Sequence, residues 1–135
     1  MTTTPDDRLD AFAPAVLSIV RIVFGLLFLV HGTAKLFGWP GGEAIPAGTW
    51  PFWWAGLIEL VTGLLITVGL FTRAAAFVAA GQMAVAYFWM HLPNGFWPIA
   101  NKGEPAVLFC FFFLALVVLG AGAWSVDAVL ARRRR

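Results

Sequence analysis

The sequence predicts an all-α membrane protein, a four-transmembrane-helix antiparallel bundle, and three observations carry that reading. Hydrophobic residues make up 61% of the 135-residue chain and charged residues only 12%. A soluble domain of this size cannot bury so much apolar surface without leaving large patches in water. The apolar residues fall into four runs divided by segments rich in Gly, Pro and Trp. Cationic and tryptophan side chains sort to opposite ends of those runs, as the two interfaces of a bilayer favour.

The first run, Pro14 to Gly38, opens on a proline suited to a helix start and ends at the breaker Gly38-Trp39-Pro40-Gly41-Gly42. The second covers Phe52 to Leu70, the third Ala74 to His91, and the fourth Pro105 to Gly122. Each reaches the roughly 17 to 25 residues that a tilted helix needs to cross a ~30 Å hydrocarbon core. Only Phe71, Thr72 and Arg73 separate the second run from the third, so these two are antiparallel neighbours joined by a tight turn. The chain then divides into an N-terminal segment 1–13, a membrane domain 14–130 and a basic tail 131–135.

Alternating passage places Arg8, Arg73 and Arg132 to Arg135 on one side and only Lys35 and Lys102 on the other, which makes the first side cytoplasmic. Both chain ends then lie in the cytoplasm, and the membrane is the bacterial inner membrane. Trp39, Trp50, Trp53, Trp54, Trp89 and Trp97 gather near the outer ends, where indole rings favour the headgroup level, so the outer loops are expected to lie against the membrane as a lid. Residues before Ala13 carry three aspartates and no basic flank, so the first run is expected to be a retained helix and not a cleaved signal.

Composition also excludes function classes. The net charge of +2 is small and its cations stack in the C-terminal tail, which excludes a nucleic-acid surface and suits anionic lipid headgroups. Cys110 is the single cysteine, so no dithiol centre or C-x-x-C-H haem attachment forms within the chain. Nothing in it resembles a dinucleotide fingerprint or an iron-sulfur motif.

Ionisable groups inside a membrane cost a few kcal/mol or more, so each asks for a partner or a purpose. At about 1.5 Å per residue, Arg21 sits roughly 10 Å inside the inner end of the first helix. Helical periodicity aligns Arg21, Gly25, Phe28, Gly32 and Lys35, with His31 at the shoulder, and aligns Gly56, Glu59, Thr62, Gly63 and Ile66 on the second helix. Small and polar stripes of this kind suit close helix packing, so the two are expected to face each other. His31, Lys35, Glu59, His91, Asn101 and Glu104 converge on the outer half, and Arg21, Arg73, Gln82 and Asp127 on the inner half or its boundary. In the inner set Arg21 and Asp127 are expected to form a structural pair. The outer set reads either as internal glue, with His31 on Glu59, or as a site of mixed acid, base and donor character.

The run Arg21-Ile-Val-Phe-Gly25-Leu-Leu-Phe28-Leu-Val-His31-Gly32-Thr-Ala-Lys35-Leu36-Phe37-Gly38 resembles the signature of the DoxX family of small four-helix membrane proteins. Glu59 with Gly63, the turn Gly69-Leu-Phe-Thr-Arg73, His91, Asn101-x-Gly103-Glu104 and Gly120-x-Gly122-x-x-Ser125-x-Asp127 agree in kind and order. The resemblance implies the fold, and it associates the chain with quinone-linked sulfur oxidation, oxidative-stress complexes or maturation pathways.

Two functions from different classes follow. One is a membrane subunit of a quinone-linked redox system, since a flat quinone head with two carbonyl acceptors wants aromatic walls, a His or Lys donor and a carboxylate that exchanges protons. Glu59, His31 and His91 would carry the proton chemistry, and Lys35, Trp53, Trp54, Asn101, Glu104 and Phe109 would hold the head. A protein partner would supply the electrons. The other is a non-catalytic scaffold or accessory subunit that recruits a soluble enzyme. A haem between His31 and His91 is disfavoured, because two membrane histidines more often hydrogen-bond to carboxylates than meet a haem, and a small-solute carrier is disfavoured unless the chain forms a homo-oligomer, since four helices without a repeat leave little room for alternating access.

Overall fold

The computed structural model describes residues 4–135, and residues 1–3 of the expected N-terminal segment lie outside it. The described residues form helices joined by loops, with no strand among them: α1 (Pro5–Asp10), α2 (Ala13–Phe37), α3 (Phe52–Val68), α4 (Thr72–Ala86), α5 (Pro98–Asn101), α6 (Glu104–Leu119) and α7 (Val126–Arg133). A π turn, Tyr87–His91, and a 3₁₀ turn, Leu92–Asn94, prolong α4.

Local chemistry sets these boundaries. Pro14 and Pro105 stand in the first turns of α2 and α6, where a missing N–H costs nothing. Gly38 and Gly69 end α2 and α3 in the left-handed region, at φ 70° and 73°. The Ser125 hydroxyl accepts from Ala128 N at 3.1 Å and starts α7. At the other end of the chain, Thr4 and Asp7 cap α1 reciprocally, and the Thr4 backbone N–H holds the Asp7 carboxyl below its ordinary value.

Two of the expected boundaries change. The fourth run stops being helical at Leu119, because Gly120 and Gly122 take φ 83° and 81° and turn the chain back. The expected basic tail belongs in part to a helix of its own, α7, whose acidic first turn and basic last turn complement the helix dipole.

Of the long helices, α2 with 25 residues and the α4 stretch Thr72–Asn94 with 23 are long and apolar enough to cross a membrane. The shorter apolar helices α3 and α6 have 17 and 16 residues. α2 packs antiparallel on α3, α4 antiparallel on α6, and α3 joins α4 through the turn Gly69–Phe71. The two stripes expected to face each other do so: Ser18, Arg21, Gly25, Phe28 and Gly32 are buried on α2, and Gly56, Glu59, Thr62, Gly63 and Ile66 on α3. Glycine makes the approach possible. A Cβ on Gly63 would stand 2.7 Å from Leu29 N, and one on Gly32 would stand 2.6 Å from Leu60 N. Between α2 and α6 the spacing is filled by rings, with Phe24 stacked on Phe112 at 4.0 Å and Phe28 against Phe113 at 4.8 Å. Ala75, Ala76, Ala79 and Ala80 let α4 sit close to this core.

The end of the assembly at the Gly69–Phe71 turn is a polar knot. The Arg21 guanidinium donates to the carbonyls of Ala121, of Trp124 at 2.8 Å and of Thr67 at 3.4 Å. Asp127 accepts from Phe71 N at 2.9 Å and Thr72 N at 3.0 Å, capping α4, and its own N–H donates to Gly69 O. The expected Arg21 and Asp127 pair is therefore not a direct contact. Carbonyls freed by the Gly120 to Ser125 reversal lie nearer to Arg21, and the orphan N–H groups of α4 lie nearer to Asp127. Arg73 likewise donates to Val117 O and Val118 O at the end of α6, at 2.5 and 2.6 Å.

Candidate functional site

At the opposite end, where the long loops lie, the helices leave a cleft of about 630 Å³. Three polar side chains meet on its floor. Glu59, 3% exposed, sits on the α3 face that meets α2. Lys35, in the last turn of α2, places Nζ 2.7 Å from Glu59 Oε2. Gln82 reaches across from α4, and its Nε2 donates to Glu59 Oε1 at 3.0 Å and to Ala55 O at 3.2 Å. A buried ion pair holds only when geometry and extra hydrogen bonds offset lost hydration, and here both carboxylate oxygens are engaged. The Gln82 Oε1 is buried without a partner among the described residues, so the floor keeps one free acceptor.

The walls are apolar and aromatic. Phe28, Trp50, Trp54, Met83, Trp89 and Phe109 line them, and His31, His91 and Lys102 stand among these as further polar groups. The His31 ring meets Phe109 edge-on at 5.9 Å. The π turn sets three consecutive residues, Trp89, Met90 and His91, on the cleft. His91 Nδ1 lies 3.1 Å from Asn101 O, and since a carbonyl only accepts, a neutral His91 carries its proton on Nδ1 and keeps a lone pair on Nε2.

Six of the nine expected site residues, Glu59, His31, His91, Lys35, Trp54 and Phe109, thus line one cavity. The other three do not, each for a local reason. Trp53 turns away and packs edge-on against Trp54 at 5.0 Å. Asn101, 4% exposed, is consumed by its loop: Oδ1 accepts from Gly103 N at 2.8 Å and Nδ2 donates to Gly95 O at 2.8 Å. Glu104 begins α6 facing out, on a separate groove shared with Phe24, Leu27 and Leu108. His31 does not take Glu59, whose oxygens belong to Lys35 and Gln82.

Gln82 is the residue that sequence reasoning misplaced, by assigning it to the inner set with Arg21. Its signal was present: between Arg73 and Tyr87 it is the only side chain with a hydrogen-bonding group. An amide in such a run needs an interior partner. Which partner depends on how far α4 has climbed when it passes Glu59, and that is a matter of packing.

The chain was also compared with known proteins. The DoxX family model matches residues 16–92. An uncharacterized protein of Haemophilus influenzae is 42% identical over 128 residues, covering 90% of this chain and 95% of the relative. An uncharacterized membrane protein of Mycobacterium tuberculosis is 29% identical, covering 93% of this chain and 87% of its own length. The inner membrane protein YqjF of Escherichia coli is 27% identical, covering 85% and 92%. No solved structure matches at a significant level. With the signature run inside the matched segment and the Haemophilus relative aligned over nearly its whole length, the chain belongs to the DoxX family of membrane proteins.

Proposed function

We propose that the protein crosses the bacterial inner membrane with four helices, both chain ends cytoplasmic, and that its loop-side cleft binds a quinone head as part of a redox system. One observation carries the reading: a buried carboxylate, shared between an ammonium and an amide, forms the floor of an aromatic-walled cleft in a membrane protein. Purely structural glue would not need the cavity, and a lipid-filled gap would not need the ion pair.

The four-span reading is supported by the exposed faces of the two shorter helices, Val61, Leu64 and Val68 on α3 and Leu108, Phe111 and Val118 on α6. Such faces are stable against hydrocarbon and costly in water. Arg8, Arg73 and the Arg132 to Arg135 tail gather at the Gly69–Phe71 end, which favours that end as the cytoplasmic one.

The donor set fits a quinone. Trp50, Trp54, Trp89 and Phe109 offer faces for a flat ring, and Lys102 or His31 can donate to a ring carbonyl. The free Gln82 Oε1 can accept from a ring hydroxyl. A bound quinone supplies two-electron chemistry; the chain supplies the protons. Glu59 could relay one beside the ring, with Lys35 balancing its charge, and His91, once protonated at Nε2, could deliver the other at the cleft wall. Electrons would come from a protein partner.

The test is organic extraction of the full-length protein purified in mild detergent, with the extract read by ultraviolet absorption. A near-stoichiometric quinone, retained in Glu59→Gln and lowered in Glu59→Ala, supports the proposal, because the amide keeps shape and hydrogen bonding. Folded protein without quinone overturns it and favours the accessory scaffold.

A further inference from the structure

The cleft is open at its side. Ile58 on α3 and Val78, Gly81 and Val85 on α4 line it, and all four are exposed. Exposed lining residues from two neighbouring helices place an open edge of the cleft, its mouth, between α3 and α4. Gly81 stands in that mouth, and a Cβ built there meets nothing within 4 Å. Counted from Thr72 at about 1.5 Å per residue, Val78 to Val85 lie roughly 9 to 20 Å along the helix. The helical stretch runs on to Asn94. The mouth thus faces the hydrocarbon layer, not the headgroups or water. On the far side, Phe28 and Phe109 pack against each other at 5.4 Å and close the cavity.

We infer that this mouth is the groove for the hydrocarbon tail of a membrane lipid whose head lies on Glu59 and Gln82. Resting on the quinone reading, the inference narrows the ligand to a polyprenyl-tailed quinone that enters sideways from the bilayer, not a free ring that enters from the aqueous side. The tail never leaves the hydrocarbon, so only the head exchanges surroundings, and the floor offers that head polar groups in Glu59, Gln82 and Lys35. Val78 and Val85 flank position 81, where the absent side chain leaves the space open.

Gly81→Phe puts a ring into the open space at the mouth, and it replaces a helix-weakening residue, so the fold should survive. Wild-type and variant full-length protein in mild detergent are titrated with a long-chain ubiquinone and with its tail-less benzoquinone ring. The expected result is a loss of about tenfold or more in affinity for the long-chain form, with the ring held within about twofold. Equal loss of both, or loss of neither, overturns the tail groove. A wild type that binds neither compound defeats the quinone reading, and a second measurement then decides the groove alone. Vesicles of phosphatidylcholine carrying a diazirine in the acyl chain are irradiated with each protein. Labelling of Ala55 or Met83, which line the cleft behind the mouth, that is present in the wild type and disappears in Gly81→Phe supports the groove; labelling absent in the wild type, or unchanged in the variant, overturns it.

Discussion

Replacing Gly63 by alanine adds one methyl group where α2 and α3 cross backbone to backbone. That methyl would stand 2.7 Å from Leu29 N, 2.8 Å from Leu29 Cα and 3.1 Å from Leu29 Cβ. Carbon contacts settle near 3.5 to 4.0 Å, so the two backbones must part by on the order of 0.7 to 1 Å, and neither can yield as a side chain would. Overpacking of this kind costs about 1 to 3 kcal/mol, while alanine in place of glycine returns up to about 1 kcal/mol of helix propensity. The net expectation is a loss of roughly 1 to 2 kcal/mol. Gly81→Ala is the control: with open space around it, it should gain up to about 1 kcal/mol. Gly32→Ala should behave like Gly63→Ala and also move Glu59, since its Cβ would lie 3.0 Å from the Glu59 carbonyl carbon. The Lys35 and Glu59 pair would then lengthen from 2.7 Å. Thermal unfolding of the full-length protein in mild detergent, followed by circular dichroism, ranks the three variants. A Gly63→Ala protein that melts at or above the wild type, or a Gly81→Ala protein that falls as far, would refute the close approach of α2 and α3.

Arg21→Met leaves three carbonyls without their donor and should cost about 3 to 5 kcal/mol. Asp127→Ala removes the cap on α4 and should cost about 1 to 2 kcal/mol. Because the two side chains bind different backbone groups, a double-mutant cycle should show coupling below about 1 kcal/mol, and a larger value would mean that they pair directly after all. Cysteines placed at Gly42 and Gly95, in a Cys110→Ala background, should react with an impermeant thiol reagent from the periplasmic side, and one at Ala131 should not; the reverse pattern would invert the proposed topology.

Much of the site was legible because helical periodicity is a property of the chain alone. Arg21, Gly25, Phe28 and Gly32 share a face whatever surrounds them, and so do Gly56, Glu59, Thr62 and Gly63. The meeting of Lys35 with Glu59 follows once those two faces are pressed together by glycine. Asn101 was not legible in the same way: it looked like a binding residue because its neighbours are polar, yet its side-chain oxygen and nitrogen are taken by Gly103 N and Gly95 O of its own loop. Trp53 and Trp54 are adjacent in sequence, and only their placement on α3 decides which one faces the cleft.

The amino-acid sequence by itself determined the helical class, the four apolar runs, the breakers between them and the polar stripe on each of the first two helices, since these depend on composition and on spacing within one segment. Tertiary structure alone decided which groups satisfy the buried charges. Arg21 found carbonyls because Gly120 and Gly122 reverse the chain beside it, and Glu59 found Gln82 because α4 passes at that height. Hydrogen bonds act over about 3 Å, so a partner on another helix is chosen by the relative height and separation of the helices, which no single segment encodes.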